Sequence, residues 1–219
     1  MRTLHVFAMP LSCLALAAHG ARPSLADAQA RSSSLALKAR AASIPRAVVF
    51  DLDGCLWSPE MYELWGGGSP FTVKDGDLID SAGTRVRLLG SVRKILYELR
   101  NQERWRDTCV AVASCTDEPG WADECLSKFA IGGGECIKDV VQEEDIYKAN
   151  KRKHLTRLSE RTNIQLEDMI FFDNERGNCF DVASIGVTVA YVPHGVTAEA
   201  WERALEKFPA PGEVLGDGF

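Results

Sequence analysis

The sequence predicts an α/β fold: a doubly wound parallel sheet with helices on both faces. Three observations carry this. From Ala47 onward, short apolar runs alternate with amphipathic stretches, the pattern of strands buried on both sides beneath crossover helices. Three of those runs end in residues capable of chemistry, namely Asp51 and Asp53, Ser114, and Asp173. In such sheets ligands bind at the carboxyl ends of the strands. The chain is also long enough, because a domain of about 170 residues buries roughly 70% of its unfolded surface and needs no disulfide or metal staple.

The elements follow in order. Ala47–Phe50 is an apolar strand. Phe71–Leu89 holds two alternating runs about Asp80-Ser81-Ala82-Gly83, which reads as a β-hairpin. Ser91–Asn101 places Val92, Ile95, Leu96 and Leu99 on one helical face, with Ser91 as candidate N-cap. Thr108–Ala113 is the next strand. Pro119–Phe129 is a helix opened by proline, and Gly132-Gly133-Gly134 ends that unit. Ile137–Val141 reads as a strand, Lys151–Arg161 as a helix with Leu155 and Leu158 inward, and Met169–Phe172 as a strongly apolar strand. A short helix over Cys179–Ser184, a strand over Thr188–Val192 and a helix over Thr197–Phe208 close the domain.

Charge divides the chain. Residues 1–45 carry five basic residues against Asp27 alone, whereas residues 46–219 carry 20 basic and 30 acidic residues, a net −10. So acidic a body has no electrostatic footprint for nucleic acid or an anionic membrane. Leu4–Ala18 is an interrupted apolar run followed by small residues, and Ala21–Ser43 is rich in Ala, Ser and Arg. Residues 1–44 are therefore expected to be a targeting leader, a signal or transit peptide, with residues 45–219 forming one domain. A plastid, reached through the secretory route, is expected ahead of a mitochondrion. Of seven cysteines, six follow the leader without C-x-x-C or zinc spacing, which fits a reducing compartment.

The stretch AVVFDLDGCLW sets two carboxylates one residue apart at a strand end. With a third carboxylate from another strand they repel, and one would take up a proton. A divalent cation removes the conflict, and an all-oxygen site suits Mg²⁺. A bound cation would also let a phosphate dianion approach an acidic body. An aspartate can then attack phosphorus while a neighbouring carboxyl moves protons. Taken alone, D-x-D-G is equally a turn after a strand, or the metal motif of a glycosyltransferase.

FDLDGCLW, VAVASCTDEPGWA, a lysine opening a helix and MIFFDNERGN occur in the order of the four motifs of the haloacid dehalogenase-like (HAD) hydrolases. The chain resembles that superfamily over about Arg46 to Phe208, and is most similar to its magnesium-dependent phosphatase-1 branch. The resemblance implies a Rossmann-like core and a Mg²⁺-dependent phosphatase. It implies Asp51 as nucleophile and Asp53 as general acid/base whose backbone carbonyl also binds Mg²⁺. It further implies Ser114, Cys115 and Lys151 around the phosphate, and Asp173 as a direct metal ligand beside Asp51. Lys151 is chosen over Lys148, Arg152 and Lys153 because it lies three residues before His154 at the start of the helix. Three positions depart from the family pattern: Cys55 stands for Thr or Val, Cys115 for a frequent Arg, and Asn174 for a second Asp.

Only 60 residues separate Asp53 from Ser114, and 36 separate Ser114 from Lys151. Neither interval has length for a cap domain. An open, capless site is expected, shielded by a hairpin flap whose aromatics, Trp57, Tyr62, Trp65 and Phe71, either pack beneath it or meet the substrate. Such a site suits a phosphorylated protein, phosphotyrosine-like, or a small phosphomonoester such as a sugar phosphate. A weak regulatory or phosphoprotein-binding role and a phosphotransferase are the alternatives.

Overall fold

The computed structural model describes residues 44–216. The expected leader thus lies outside the described residues, apart from Ile44. Strands and helices follow the order β1 (Ala47–Phe50), β2 (Trp57–Ser58), β3 (Thr72–Lys74), β4 (Asp77–Ile79), β5 (Arg85–Leu88), α1 (Val92–Asn101), β6 (Cys109–Ser114), α2 (Pro119–Lys128), β7 (Ala130–Gly132), β8 (Glu135–Cys136), β9 (Glu143–Ile146), α3 (Lys151–Thr162), β10 (Met169–Asp173), α4 (Arg176–Ala183), β11 (Thr188–Tyr191), α5 (Ala198–Lys207) and β12 (Val214–Leu215).

The main sheet has the order β12-β11-β10-β1-β6-β9, and every pair in it is parallel. Strand periodicity sorts its side chains into two cores. Val48, Phe50, Val110, Val112, Ile170 and Phe172 meet α1, α2 and α5 on one face. Val49, Ala111, Ala113 and Phe171 meet Leu155 and Leu158 of α3 and Val182 of α4 on the other. Stacked Phe50 and Phe172, with centroids 5.3 Å apart, and Trp201, 5.4 Å from Phe172, hold β1 and β10 together just behind the site. The doubly wound α/β fold expected from the sequence is the fold observed.

Two local expectations are corrected. Ile137–Val141 is not a strand: Ile137–Asp139 forms a 3₁₀ turn that buries Ile137 and leads into β9. The hairpin expected about Asp80–Gly83 is present as the antiparallel pair β4–β5, and it belongs to a four-stranded antiparallel sheet β2-β5-β4-β3. Its tight turn is Asp75-Gly76, both with positive φ, whereas Asp80 organises a second loop by accepting the Ala82 and Thr84 amides. Ser91 precedes α1 without a side-chain cap bond. The flap aromatics divide: Trp57 and Phe71 are buried, while Tyr62 and Trp65 are 63% and 87% exposed.

Candidate active site

β1 ends where the Asp51 amide donates to the Phe172 carbonyl at 2.9 Å. The chain then folds tightly, with the Cys55, Leu56 and Trp57 amides all directed to the Leu52 carbonyl. Gly54 makes this possible. Its φ is +71°, and a Cβ there would lie 2.3 Å from Asn174 Nδ2, so only glycine fits. The turn places Asp51 and Asp53 at the mouth of the sheet, between β10 and β6.

Lys151 opens α3 behind an Asn150 cap whose Oδ1 accepts the Arg152 amide. Its side chain is fully buried. The ammonium pairs directly with Asp51 Oδ1, donates to the Ala113 carbonyl at 2.6 Å and lies 3.6 Å from Asp173 Oδ2. Burial alone would lower its pKa, yet Asp51 and then Asp173 outweigh that and hold the ammonium above the ordinary lysine range. By contrast Lys148 is exposed beside Asp117 at 3.5 Å, and Lys153 sits over the Tyr147 ring. Of these lysines, the helix-opening one is the one brought to the carboxylates.

Asp173 is fully buried at the end of β10. It accepts the Glu175 amide at 2.7 Å and Asn178 Nδ2 at 3.1 Å. Burial and then the charge of Asp51 push its carboxyl well up, against Lys151. One ammonium facing two carboxylates therefore leaves an unbalanced negative charge. Asn174 adds an amide oxygen that is buried and has no partner among the described residues.

Two carboxylates with surplus charge and an orphaned oxygen form a donor set that fits a hard cation such as Mg²⁺. Among the described residues no three acidic, His or Cys side chains close a metal site by themselves. The Asp53 side chain does not join the pair, because its Oδ1 accepts Trp57 Nε1–H at 2.7 Å. Its backbone carbonyl is the candidate ligand at this position.

Burial raises the Asp53 carboxyl to about 7, with the Trp57 bond opposing and Asp51 adding to the rise. Such a group exchanges protons near neutrality, as a general acid/base requires. Ser114, buried at the end of β6, accepts the Thr116 amide at 3.2 Å, which leaves its O–H free to donate to an oxyanion. Asp51, Asp53, Ser114 and Cys115 line one cavity of about 290 Å³ with Glu60, Tyr62, Thr116, Asp117, Lys148 and Glu175. Burial pushes the Cys115 thiol up, so it stands there as a neutral thiol. Cys55, also pushed up by burial, is buried behind the site and donates to the Phe172 carbonyl.

The sequence reasoning missed Glu60, Glu175 and Thr116 as lining residues. Glu175 was within reach, two positions beyond Asp173. Glu60 and Thr116 carry no local signal, because their places depend on how the flap and the loop after β6 fold back.

The family model described as Acid Phosphatase matches residues 43–210. Human magnesium-dependent phosphatase 1 is 33% identical over 167 residues, covering 76% of this chain and 89% of that protein. A HAD-like hydrolase superfamily protein of Schizosaccharomyces pombe is 32% identical over 153 residues, covering 66% and 83%. A HAD family enzyme of Bacteroides thetaiotaomicron, solved in complex with magnesium and inorganic phosphate, superposes with a TM-score of 0.51 at 14% identity. It covers 73% of this chain and all of that one, a likeness of fold.

Proposed function

The chain belongs to the acid phosphatase family of HAD-like hydrolases, and on that premise we propose that it hydrolyses phosphomonoesters through a covalent phosphate on Asp51, with Mg²⁺ bound. The observation that carries the reading is the buried Lys151 held between Asp51 and Asp173. A full charge is buried at such cost only when paired, and here its partner Asp51 lines the cavity.

Asp51, Asp173, the Asp53 carbonyl and Asn174 would hold Mg²⁺, which, when bound, supplies charge neutralisation at the phosphoryl oxygens. An Asp51 carboxylate oxygen forms a bond to phosphorus as the bond to the ester oxygen breaks. Asp53 gives its proton to that departing oxygen. Asp53, now a carboxylate, takes a proton from water, which attacks phosphorus and frees phosphate and Asp51. Lys151 offsets the charge of Asp51 and the incoming phosphate, and the Ser114 hydroxyl donates to a phosphoryl oxygen.

The solvent-facing rim of Tyr62, Asp117 and Lys148 supports a phosphorylated protein side chain or a sugar phosphate as substrate. Residues 1–44 are proposed as a leader to a reducing organelle, a plastid before a mitochondrion. The six free cysteines of the described residues agree with such a compartment.

The test is release of phosphate from para-nitrophenyl phosphate with and without Mg²⁺, for the wild type and Asp51→Asn. Mg²⁺-dependent turnover that Asp51→Asn abolishes, with the melting transition preserved, is expected. Turnover retained by Asp51→Asn rules out the covalent route.

A further inference from the structure

Lys151 is one member of a closed circuit of contacts. Its ammonium donates to the Ala113 carbonyl, and Ala113 lies opposite Asp145 in the β6–β9 register. Asp145 Oδ2 lies 2.8 Å from His154 Nδ1. His154 stands three residues after Lys151, on the same face of α3, and both side chains are fully buried.

The state of the histidine follows from its partners. Asp145 also takes Arg161 Nη1 at 2.6 Å and faces Arg157 at 3.5 Å, so its charge is met without an imidazolium. Burial lowers the His154 pKa, and Lys151 pushes the same way against the Asp145 bond. The ring is therefore neutral, with Nδ1–H donating to Asp145. Nε2 is left a bare acceptor, buried and without a partner among the described residues. An unsatisfied buried nitrogen costs free energy that an aliphatic side chain of equal bulk would avoid. What the ring provides in return is a bond to Asp145, which an aliphatic side chain cannot make.

That bond matters because of where β9 lies. It is the edge strand, paired with β6 alone, and the residues beside it carry Ser114 and the Ala113 carbonyl. We propose that His154, through Nδ1–H to Asp145, is the positioning residue of the active-site lysine. It pins the first turn of α3 to the edge of the sheet so that the Lys151 ammonium meets Asp51. The catalytic consequence rests on the reading of Lys151 given above; the placement of the side chain does not.

Two substitutions separate positioning from bulk. His154→Leu fills the space without a donor, and His154→Asn sets an amide N–H where Nδ1–H stands. His154→Leu is expected to lower kcat about 10- to 100-fold with KM changed less than about threefold, and His154→Asn to recover all but about threefold, as for a misplaced reacting group. In parallel, labelling of the full chain with an amine-reactive reagent, read by peptide mass spectrometry, is expected to reach Lys151 at least about tenfold faster in His154→Leu than in wild type or His154→Asn, because local opening sets access. Wild-type kcat and wild-type labelling in His154→Leu would overturn the proposal, as would equal losses in both variants. If the wild type turns over no phosphomonoester, the functional reading fails and the labelling ratio alone decides this one. His154→Met replaces the leucine variant if that variant lacks a cooperative melt.

Discussion

The indole of Trp57 donates to Asp53 Oδ1 at 2.7 Å, tying the carboxyl expected to move protons to a fully buried aromatic ring of the flap. The bond favours the carboxylate, whereas burial favours the acid and wins, leaving the pKa at about 7. Trp57→Phe removes the donor and keeps most of the packing. The carboxyl then rises further, so the basic limb of kcat/KM against pH moves to higher pH. A hydrogen bond to a charged group contributes about 1.5–3 kcal/mol, and one pH unit corresponds to about 1.4 kcal/mol, so the limb moves by about one to two units. A pH–rate profile of the variant measures it, and an unmoved limb would show that Trp57 does not tune Asp53.

Lys151 and Lys153 are two residues apart but occupy different worlds, one buried on Asp51, the other over the Tyr147 ring at 5.6 Å. Lys151→Ala is expected to lower kcat about 10²–10³-fold, the scale for one preorganised electrostatic donor. It also leaves two buried carboxylates unpaired, costing about 3–5 kcal/mol of stability without metal. Lys153→Ala is expected to be near neutral in both respects. Steady-state rates and denaturant melts compare them.

Protons and Mg²⁺ compete for the Asp173 carboxylate, because burial and the charge of Asp51 hold its pKa up. Mg²⁺ affinity is therefore expected to weaken as pH falls through the raised Asp173 pKa, with proton release on binding. Chelation should abolish turnover, and Mg²⁺ at 100 times its Kd should add about 2.7 kcal/mol of stability. Calorimetric titration at several pH values tests this, and an affinity independent of pH would contradict it.

His154 gives a second pH dependence, this one in stability. Its folded pKa lies below the unfolded value of 6.5, so below that pH the unfolded chain binds the extra proton first. The contribution is complete above about pH 6.5 and is lost as pH falls through the folded pKa. Melting temperatures across that range should fall less steeply for His154→Leu than for wild type.

The main sheet was legible because its inner strands are apolar on both faces and each ends in a polar residue. β9 was not. Its sequence, Glu143-Glu144-Asp145-Ile146, has no apolar periodicity, since an edge strand is covered by partners of the opposite charge: Arg161 on Glu143 and Asp145 and Lys138 on Glu144. The buried Ile137 and Val140 drew the strand to the preceding turn instead. The hairpin turning at Asp80–Gly83 was legible, whereas the second turn at Asp75-Gly76, which adds β3 to the flap, was not singled out. The approach of Lys151 to Asp51 was implied by the family resemblance, and its helical spacing to His154 singled it out from Lys148, Arg152 and Lys153. The bond of His154 to Asp145 had no signal in the sequence, because it depends on where β9 lies.

Tyr62, Asp117 and Lys148 stand at the rim of the cavity with their side chains in solvent. With that doorway standing ajar, bulk liquid reaches the mouth of the cavity that Asp51, Asp53 and Ser114 line. On the proposed covalent route, the lifetime of a phosphorylated Asp51 would then be governed by how quickly Asp53 strips a proton from an arriving water.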